Sequence, residues 1–305
     1  MKSIFSSLLI FLISSCGSGG SSSIISSTPY QPPTSGNQFV NCSNYDGATD
    51  KIIWIDDFVE STFENNWTAI IGNGAEYGIP GWGNNEKQYY TDSSNNIFSF
   101  NGCLRITPLV ENIGGFNYSS SKVETKNKVD FSLPGKITIK FRSPAGVGLW
   151  PAIWMLPTYE IYGGWPASGE IDLAEIRGNN MQEILSTIHF GSDPSNHKYI
   201  GDSYYLSQDN NLNENFHTIS LIWEEDSLKF ILDENISVFE ITKSQIGFDE
   251  NYPFNEVFYL IINVAVGGNF VGNYIDNNDL CNSNNISNCD DSKRFLIDWV
   301  KYETL

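Results

Sequence analysis

Short hydrophobic runs separated by turn residues recur along most of the chain. In KITIKF (136–141) apolar and polar residues alternate, so Ile137, Ile139 and Phe141 would share one face of a strand. Gly, Asn, Asp and Pro separate the runs, and long helical periodicity is absent apart from a short turn around 242–248. This pattern predicts a single all-β domain, either a sandwich or a barrel. The other clear runs are LRITPLV (104–110), TISLIW (218–223), LKFILD (228–233) and FYLIINVAV (258–266).

The beginning of the chain has a different character and predicts export. Residues 1–16 combine Lys2 with a short apolar stretch, which is typical of a secretory signal peptide. Their last four letters, ISSC, resemble a bacterial lipobox, in which the cysteine (here Cys16) becomes the lipidated first residue of the mature protein. Residues 17–41 are rich in Gly, Ser and Pro and would form a flexible tether before a folded domain at 42–305. We expect an outer-membrane lipoprotein, on the cell surface or the periplasmic side; the alternative is an ordinary signal peptide and a secreted protein.

Composition narrows the range of partners. Lys and Arg number 17 against 36 Asp and Glu, which gives a formal net charge of −19. Such a charge argues against binding to nucleic acid, and 14% aromatic residues are too many for a disordered chain. No apolar run reaches the ~18 residues of a membrane span. We therefore expect membrane contact only through a lipid on Cys16, and a monomer.

The cysteines predict disulfides. With Cys16 set aside as the anchor, an even number remains in an exported chain. Cys281 and Cys289 close a short Asn-rich loop and are expected to pair, which leaves Cys42 with Cys103. Free thiols are the alternative, and the sequence alone leaves the connectivity open. With three histidines and no C-x-x-C motif, a zinc site is not expected.

The segment GEIDLAEIRGNN (169–180) carries the most informative chemistry. Glu170 and Asp172 are two residues apart and would point to the same side of a strand, whereas Glu175 is out of phase. A β-bulge near Leu173 would return Glu175 to that side. Like charges in such a row raise one another's pKa, so at least one carboxyl would stay protonated near neutral pH.

Glycoside hydrolysis requires this combination of a carboxylate that attacks and a carboxylic acid that donates a proton, and a separation of ~5–5.5 Å predicts retention. The alternatives are an acidic strand that faces solvent, or a Ca²⁺ site. Trp150, Trp154 and Trp165 lie close upstream and favour hydrolysis, because indole faces stack on sugar rings. One such tryptophan would ordinarily be a core residue, but three are hard to bury together. One or two should therefore be exposed in a cleft.

The acidic segment also resembles a known family. EIDLAE (170–175) has the form E-I-D-x-x-E and is similar to the signature of glycoside hydrolase family 16, in the bulged form of its laminarinase-like (endo-1,3-β-glucanase) branch. The lichenase branch has one residue fewer before the last Glu. The resemblance implies an all-β jelly-roll sandwich like concanavalin A, with two curved antiparallel sheets and a cleft on the concave one, and makes 42–305 the catalytic domain. The other matching blocks, in family order, are GWGNNEKQYYT (81–91), GLWPAIWMLP (148–157), STIHFG (186–191), FHTISLIWE (216–224) and FYLIINVAVGGNF (258–270).

The resemblance assigns roles to these residues. Glu170 would be the nucleophile, Glu175 the general acid/base, and Asp172 would hydrogen-bond to Glu170 and tune its ionisation, with no cofactor needed for catalysis. Phe270 stands where the family often has Trp, so stacking there would be weaker, and the turn 267–269 would lie at the cleft rim. For His189 a purely structural role is the alternative. The implied substrate-binding residues are Asn84, Trp150, Trp154, Trp165, His189 and Asn263.

Many members of the family bind a structural Ca²⁺ on the convex side. The matching positions imply Asp57, Gly102 through its carbonyl, and Asp298 as ligands, and hard oxygen ligands suit Ca²⁺. Usual members have Glu at the position of Asp57, which puts that ligand in doubt. The alternative is that these are surface acids at strand ends.

Together these features predict a retaining endo-β-1,3-glucan hydrolase that acts on a neutral laminarin-like glucan, with mixed-linkage glucan as a further substrate. One alternative is a hydrolase of the same fold acting on agarose or another galactan. Sulphated polymers are disfavoured because bidentate sulphate contacts usually need Arg, which is scarce here. The other alternative is a non-catalytic β-glucan-binding protein, since fold alone does not determine function.

Overall fold

The computed structural model describes residues 39–42, 45, 47, 49–59, 63–247 and 251–305. The predicted signal peptide with Cys16, and most of the predicted tether, lie outside the described residues and stay predictions. Among the described residues, no helix has the length and apolar character that crossing a membrane requires.

Strands dominate the described part of the chain, as the alternating pattern predicts. In chain order they are β1 (Ile52–Asp56), β2 (Thr68–Ala69), β3 (Gln88–Tyr90), β4 (Ile97–Phe100), β5 (Cys103–Ile106), β6 (Leu109–Ile113), β7 (Phe116–Ser120), β8 (Lys122–Glu124), β9 (Gly135–Arg142), β10 (Leu149–Pro157), β11 (Glu170–Glu175), β12 (Glu183–Phe190), β13 (Lys198–Tyr205), β14 (His217–Glu224), β15 (Ser227–Leu232), β16 (Ile236–Thr242), β17 (Phe258–Val266), β18 (Cys281–Asn282) and β19 (Phe295–Glu303). The α-helices are α1 (Phe63–Asn66) and α2 (Lys243–Ile246). Single 3₁₀ turns lie at Ala75–Tyr77, Pro80–Gly83, Pro194–Asn196, Pro253–Asn255, Ser283–Asn288 and Asp291–Lys293.

Two large antiparallel sheets contain most of these strands. The eight-stranded sheet has the order β16-β15-β14-β9-β19-β5-β4, with β1 paired to β19. The seven-stranded sheet has the order β13-β12-β11-β10-β17-β8-β2, so β13 and β2 are its edges. A small third sheet, β18-β6-β7-β3, adds two parallel pairs.

The core lies between the two large sheets. In β9 the residues Ile137, Ile139 and Phe141 are fully buried on one face, as their alternation predicts. Across the interface, Trp223 of β14 meets Phe258 of β17 edge to face, with ring centres 5.5 Å apart. The buried side chains of both sheets form one continuous cluster. This confirms the predicted all-β jelly-roll sandwich, because each sheet buries one face against the other.

Both expected disulfides are present. Cys42 pairs with Cys103 and Cys281 pairs with Cys289. The first ties the segment that enters the domain to β5, and the second closes the loop before β19. The alternative prediction, free thiols at these four positions, is therefore wrong.

A group of buried charges next to the first disulfide fixes the entry of the chain. We call Arg105, Asp291 and Arg294 the anchor cluster. Arg105 donates from Nε and Nη2 to the two oxygens of Asp291, both at 2.9 Å, and Arg294 Nη1 lies 3.3 Å from Asp291 Oδ1. The Val40 amide also donates to Asp291, at 2.6 Å. Since all three cluster side chains are at most 3% exposed, the cluster joins β5, the turn before β19 and the entering chain in a fully paired, buried network.

Candidate active site

The three acids of β11 share the open face of the seven-stranded sheet, which is the face turned away from the core. On the neighbouring β12, Asp172 lies opposite Thr187 and Glu175 lies opposite Leu185. Three residue steps on β11 therefore span two on β12, and the extra residue is a β-bulge around Leu173, where the sequence predicts one. The bulge reverses the alternation and brings Glu175 back to the side of Asp172.

Two local contacts fix the ends of this row. Gly169, just before Glu170, has φ of +85°, and a Cβ there would lie 3.0 Å from Pro253, so the turn into β11 requires glycine. In the bulge, Ser186 Oγ donates to the carbonyl of Leu173 at 2.7 Å and satisfies a group that the interrupted ladder leaves unpaired. The turn fixes the position of Glu170, and the bulge brings Glu175 to the same side of the sheet.

Burial raises the pKa of all three carboxyls. For Glu170, burial and then repulsion from Asp172 raise the pKa from 4.5 to about 8. For Asp172, burial raises it from 3.8 to about 8, and for Glu175, burial and then Asp172 raise it from 4.5 to about 8. The three titrate as one coupled group, so the row keeps at least one proton at neutral pH. It can therefore supply a carboxylate and a carboxylic acid together.

Nitrogen groups partly offset the charge of the row. Trp165 Nε1 donates to Glu170 Oε2 at 2.8 Å. His189 Nε2 lies 3.1 Å from Asp172 Oδ2 and 3.8 Å from Glu170 Oε1. Both Trp165 and the positive charge that His189 can carry lower the pKa of Glu170. These contacts favour the ionised form of Glu170.

A second histidine stands behind the first. His189 Nδ1 lies 2.7 Å from Nε2 of His197, and the two rings stack with centres 5.0 Å apart. The indole of Trp165 packs against His197 at 4.7 Å, and Tyr199 of β13 lies 6.0 Å from both imidazoles. Burial and then His189 lower the pKa of His197. The β13 side of the acid row is therefore a group of aromatic rings joined through His197.

On the β17 side a chain of hydrogen bonds crosses the sheet. Trp154 Nε1 donates to Asn263 Oδ1 at 2.7 Å, and Asn263 Nδ2 donates to the Tyr90 hydroxyl oxygen at 3.0 Å. The Tyr90 hydroxyl donates to Glu86 Oε2 at 3.2 Å. Lys122 Nζ lies 4.7 Å from the ring centre of Trp154. The donor groups of Trp154 and Asn263 are thereby held in fixed orientations.

Glu86 and Lys122 balance one another beneath this chain. Burial raises the pKa of Glu86, and a hydrogen bond from Gln88 and the charge of Lys122 lower it. Burial lowers the pKa of Lys122, and the charges of Glu86, Glu124 and Glu170 raise it. The cation of Lys122 is thus matched by acids of the protein itself, and this half of the cleft suits a neutral ligand.

The rim beside Glu175 is aromatic. Trp150 and Phe270 pack with ring centres 4.9 Å apart, and the guanidinium of Arg177 lies 3.9 Å from the centre of the Phe270 ring. The nearby indole N–H of Trp150 and the charge of Arg177 lower the pKa of Glu175. Phe270 therefore contributes a smaller stacking face than Trp would, but it lies beside the acid row.

The remaining predicted cleft residues lie on this open face or its rim. The carbonyl of Asn84 accepts from the Asn269 amide at 2.8 Å, so the loop with Asn84 is fastened to the turn after β17. Trp165 is 42% exposed, whereas Trp150 and Trp154 are half-buried. The expectation that one or two of these tryptophans are exposed is met by Trp165.

The predicted Ca²⁺ ligands lie at the eight-stranded sheet, away from this face. Asp298 of β19 pairs with Lys140 Nζ at 2.7 Å and is 1% exposed. Asp57 accepts from the Val59 amide, and Gly102 lies in the turn between β4 and β5 with φ of +70°. Because Lys140 already supplies a positive charge to Asp298, the side chains do not call for Ca²⁺. The site stays a prediction.

Within the described part of the chain, one group of side chains has the spacing of a metal site. Ligand atoms of Glu170, Asp172 and His189 all lie within 4.8 Å of one another. Ca²⁺ takes 6–8 oxygen ligands, whereas this group offers two carboxylates and an imidazole that already faces Asp172. The Ca²⁺ alternative for the acidic segment therefore fits poorly.

Sequence reasoning missed four contributors: Glu86, Tyr90, Lys122 and His197. The first two lie in the block 81–91, whose match to the family was noted without a role for either residue. Lys122 and His197 reach the site only because β8 pairs with β17 and β13 pairs with β12. Neither residue stands in a motif, and no local sequence signal could have identified it.

The structure and sequence are similar to known proteins. A family model for glycosyl hydrolases family 16 matches residues 82–300. Glucan endo-1,3-beta-glucosidase A1 of Niallia circulans is 35% identical over 236 residues, which cover 72% of this chain and 34% of that protein. Glucan endo-1,3-beta-glucosidase of Cryptopygus antarcticus is 38% identical over 229 residues, which cover 72% of this chain and 81% of that protein. This chain thus spans about a third of the length of the Niallia circulans relative.

The fold comparison agrees with the sequence comparison. The X-ray structure of endo-beta-1,3-glucanase from Pyrococcus furiosus superposes with a TM-score of 0.73 at 33% identity. The match covers 87% of this chain and 98% of that one. The residues that the family model matches, 82–300, include the acid row. By family model, sequence identity and fold, this chain belongs to glycosyl hydrolases family 16.

Proposed function

We propose that the chain is a retaining endo-β-1,3-glucan hydrolase of the laminarinase type. The observation that carries this proposal is the bulged row of Glu170, Asp172 and Glu175 on one open sheet face, with all three pKa values raised. Such a row holds the carboxylate and the carboxylic acid that glycoside hydrolysis needs at the same pH.

In the first step Glu170 attacks the anomeric carbon and forms a covalent ester, while Glu175 gives its proton to the oxygen of the departing sugar. Trp165 donates to Glu170 at 2.8 Å and holds it in place. In the second step Glu175, now a carboxylate, takes a proton from water, and that water breaks the ester. Two inversions at one carbon leave the configuration retained.

The surroundings of the row support a neutral glucan. Trp150, Trp154 and Trp165 present indole faces beside the acids, and Lys122 is balanced by Glu86. The two relatives described above are named as glucan endo-1,3-beta-glucosidases, and the structural neighbour as an endo-beta-1,3-glucanase. A sulphated polymer would need cations free to meet it, and Arg177 instead packs on Phe270 and pairs with Glu183.

The test is release of reducing sugar from laminarin, lichenan, agarose and κ-carrageenan, with product sizing. We expect the highest rate on laminarin and a lower rate on lichenan. A higher rate on agarose would assign the galactan alternative. Tight binding of laminarin with no product would assign the non-catalytic alternative.

We also propose that the protein is exported and anchored through a lipid on Cys16. The support is the apolar stretch and the ISSC sequence at 1–16. The Cys16→Ser protein should move from the membrane fraction to the soluble fraction of its host. Unchanged membrane association would contradict the proposal.

A further inference from the structure

His197 contacts two of the groups that hold the acid row, although it touches none of the acids itself in the contacts described. Its Nε2 lies 2.7 Å from His189 Nδ1, and its ring packs at 4.7 Å on Trp165. His189 then faces Asp172 at 3.1 Å, and Trp165 donates to Glu170 at 2.8 Å. A change at His197 would therefore reach two of the acids along separate routes.

The short contact between the two imidazoles needs one proton between them. Either His197 Nε2 donates to His189 Nδ1, or the reverse. In the first arrangement His189 keeps its proton on Nε2, the nitrogen that lies 3.1 Å from Asp172 Oδ2 and 3.8 Å from Glu170 Oε1. In the second arrangement a neutral His189 has a bare Nε2, which can only accept a hydrogen bond, so it offers no N–H to the carboxylate that Glu170 becomes when it ionises.

The first arrangement also agrees with the surroundings of His197. Burial and the neighbouring His189 lower the pKa of His197, so its ring is neutral near neutral pH and carries a single N–H. Tyr199 lies against both rings at 6.0 Å, and Asp193 is occupied by the 3₁₀ turn that it caps. The titratable groups that face His197 are therefore His189 from β12 and Tyr199 from β13, with Glu170 beyond Trp165.

We propose that His197 is a positioning residue that keeps the proton of His189 on Nε2 and steadies the indole of Trp165. Through these two contacts it keeps one N–H beside Asp172 and one hydrogen-bonded to Glu170. The proposal rests on the proposed hydrolysis for its effect on rate, but the position of the proton on His189 does not depend on any substrate.

A pair of variants separates the effect of the His197 N–H from the effect of its ring packing on Trp165. His197→Phe keeps a ring against Trp165 but has no N–H, whereas His197→Gln keeps an amide N–H that can reach His189 Nδ1. Partners that fix the tautomer of a histidine at metal sites change activity by about 10- to 100-fold, and we expect the lower end here. His197→Phe should lower kcat on laminarin about tenfold, and His197→Gln should recover most of that loss. Tyr199→Phe, which keeps its ring beside both histidines, is the matched control.

The pH profile supplies a readout that a purely structural role would not move. With its proton on Nε2, His189 places an N–H 3.8 Å from Glu170 Oε1 and 3.1 Å from Asp172 Oδ2, which favours the ionised carboxylate. Without its orienting partner His189 also adopts the form with the proton on Nδ1, so the pKa of Glu170 rises. In the plot of kcat/KM against pH, the acidic limb should move to higher pH in His197→Phe. It should stay in place in His197→Gln and Tyr199→Phe. Equal losses in both His197 variants with an unchanged acidic limb would overturn the proposal.

The tautomer itself can be measured in the wild-type protein. The chain has three histidines, so long-range ¹H–¹⁵N spectra are simple to assign. We expect His189 and His197 both as the Nε2–H form, and a mixture of forms for His189 in His197→Phe. A wild-type His189 with its proton on Nδ1 would overturn the proposal even if laminarin is hydrolysed. Failure to hydrolyse any glucan, with the expected tautomers present, would reject the proposed function instead.

Discussion

Two buried sites of the molecule, the anchor cluster and the acid row, differ in how the negative charge of their carboxyls is compensated. In the anchor cluster a single carboxylate, Asp291, receives donors from Arg105, Arg294 and the Val40 amide. On the open sheet face three carboxyls have beside them one imidazole, that of His189, and one donated indole N–H, that of Trp165. A buried charge that is fully paired ties chain segments together, whereas an under-compensated row keeps protons and can exchange them. The comparison separates structural acids from candidate catalytic acids without reference to a motif.

The largest expected effect comes from removing acids of the row. Glu170→Ser and Glu175→Ala should each lower kcat on laminarin by about 10⁴- to 10⁶-fold, the range seen when a nucleophile or one of its partners is removed from a hydrolase. Neither change should lower the midpoint of unfolding, because each removes an acid whose charge is disfavoured by burial. An aryl glucoside with an acidic phenol as leaving group needs little proton donation, so Glu175→Ala should lose less on it than Glu170→Ser. Substantial laminarin turnover by folded Glu170→Ser would show that an under-compensated row of buried acids does not mark the catalytic residues.

The opposite result is expected in the anchor cluster. Asp291→Ala leaves two buried guanidinium groups without their carboxylate, and breaking a buried pair in this way costs about 3–5 kcal/mol. Urea unfolding should show this loss, while the rate per folded molecule on laminarin stays near that of the wild type. Glu240→Gln is the matched control, since Glu240 pairs with Lys229 at an exposed site where a pair is worth about 0–1 kcal/mol. Equal stability of Asp291→Ala and the control would show that the cluster does not hold the entering chain.

The sequence could predict the acid row because its information is local. The spacing of Glu170, Asp172 and Glu175 within one strand is enough to require a bulge, and the structure has one. The strand pattern was likewise predictable from alternation, whereas the cysteine count predicted disulfides but left their connectivity open. The anchor cluster was not, because Arg105 and Asp291 are 186 residues apart and meet only through the sheet order. His197 and Lys122 were missed for the same physical reason.

A smaller effect should appear in the pH dependence of stability. In the folded chain the pKa of Glu175 is raised from 4.5 to about 8, so between these values the folded state binds more protons than the unfolded state. Stability should therefore fall as pH rises from about 5 to 8, and Glu175→Gln should flatten this slope in urea unfolding at several pH values. Glu240→Gln, at an exposed site, should keep the wild-type slope. Parallel curves of unfolding free energy against pH for wild type and Glu175→Gln would mean that the charge of Glu175 is already compensated in the folded protein.

The smallest effect should come from removing one of the donors that the row does possess. Trp165→Phe keeps a ring against His197 but loses the N–H that reaches Glu170. A hydrogen bond to a charged group contributes about 1.5–3 kcal/mol, but Trp165 is 42% exposed and water can replace it, so kcat should fall only a few-fold. Since the lost donor lowers the pKa of Glu170, the acidic limb should also move to higher pH. Trp154→Phe loses a bond to Asn263, which is not an acid of the row, so its acidic limb should stay in place. A shift of equal size in both variants would mean that the indoles act through packing and that donors to the row do not set its ionisation.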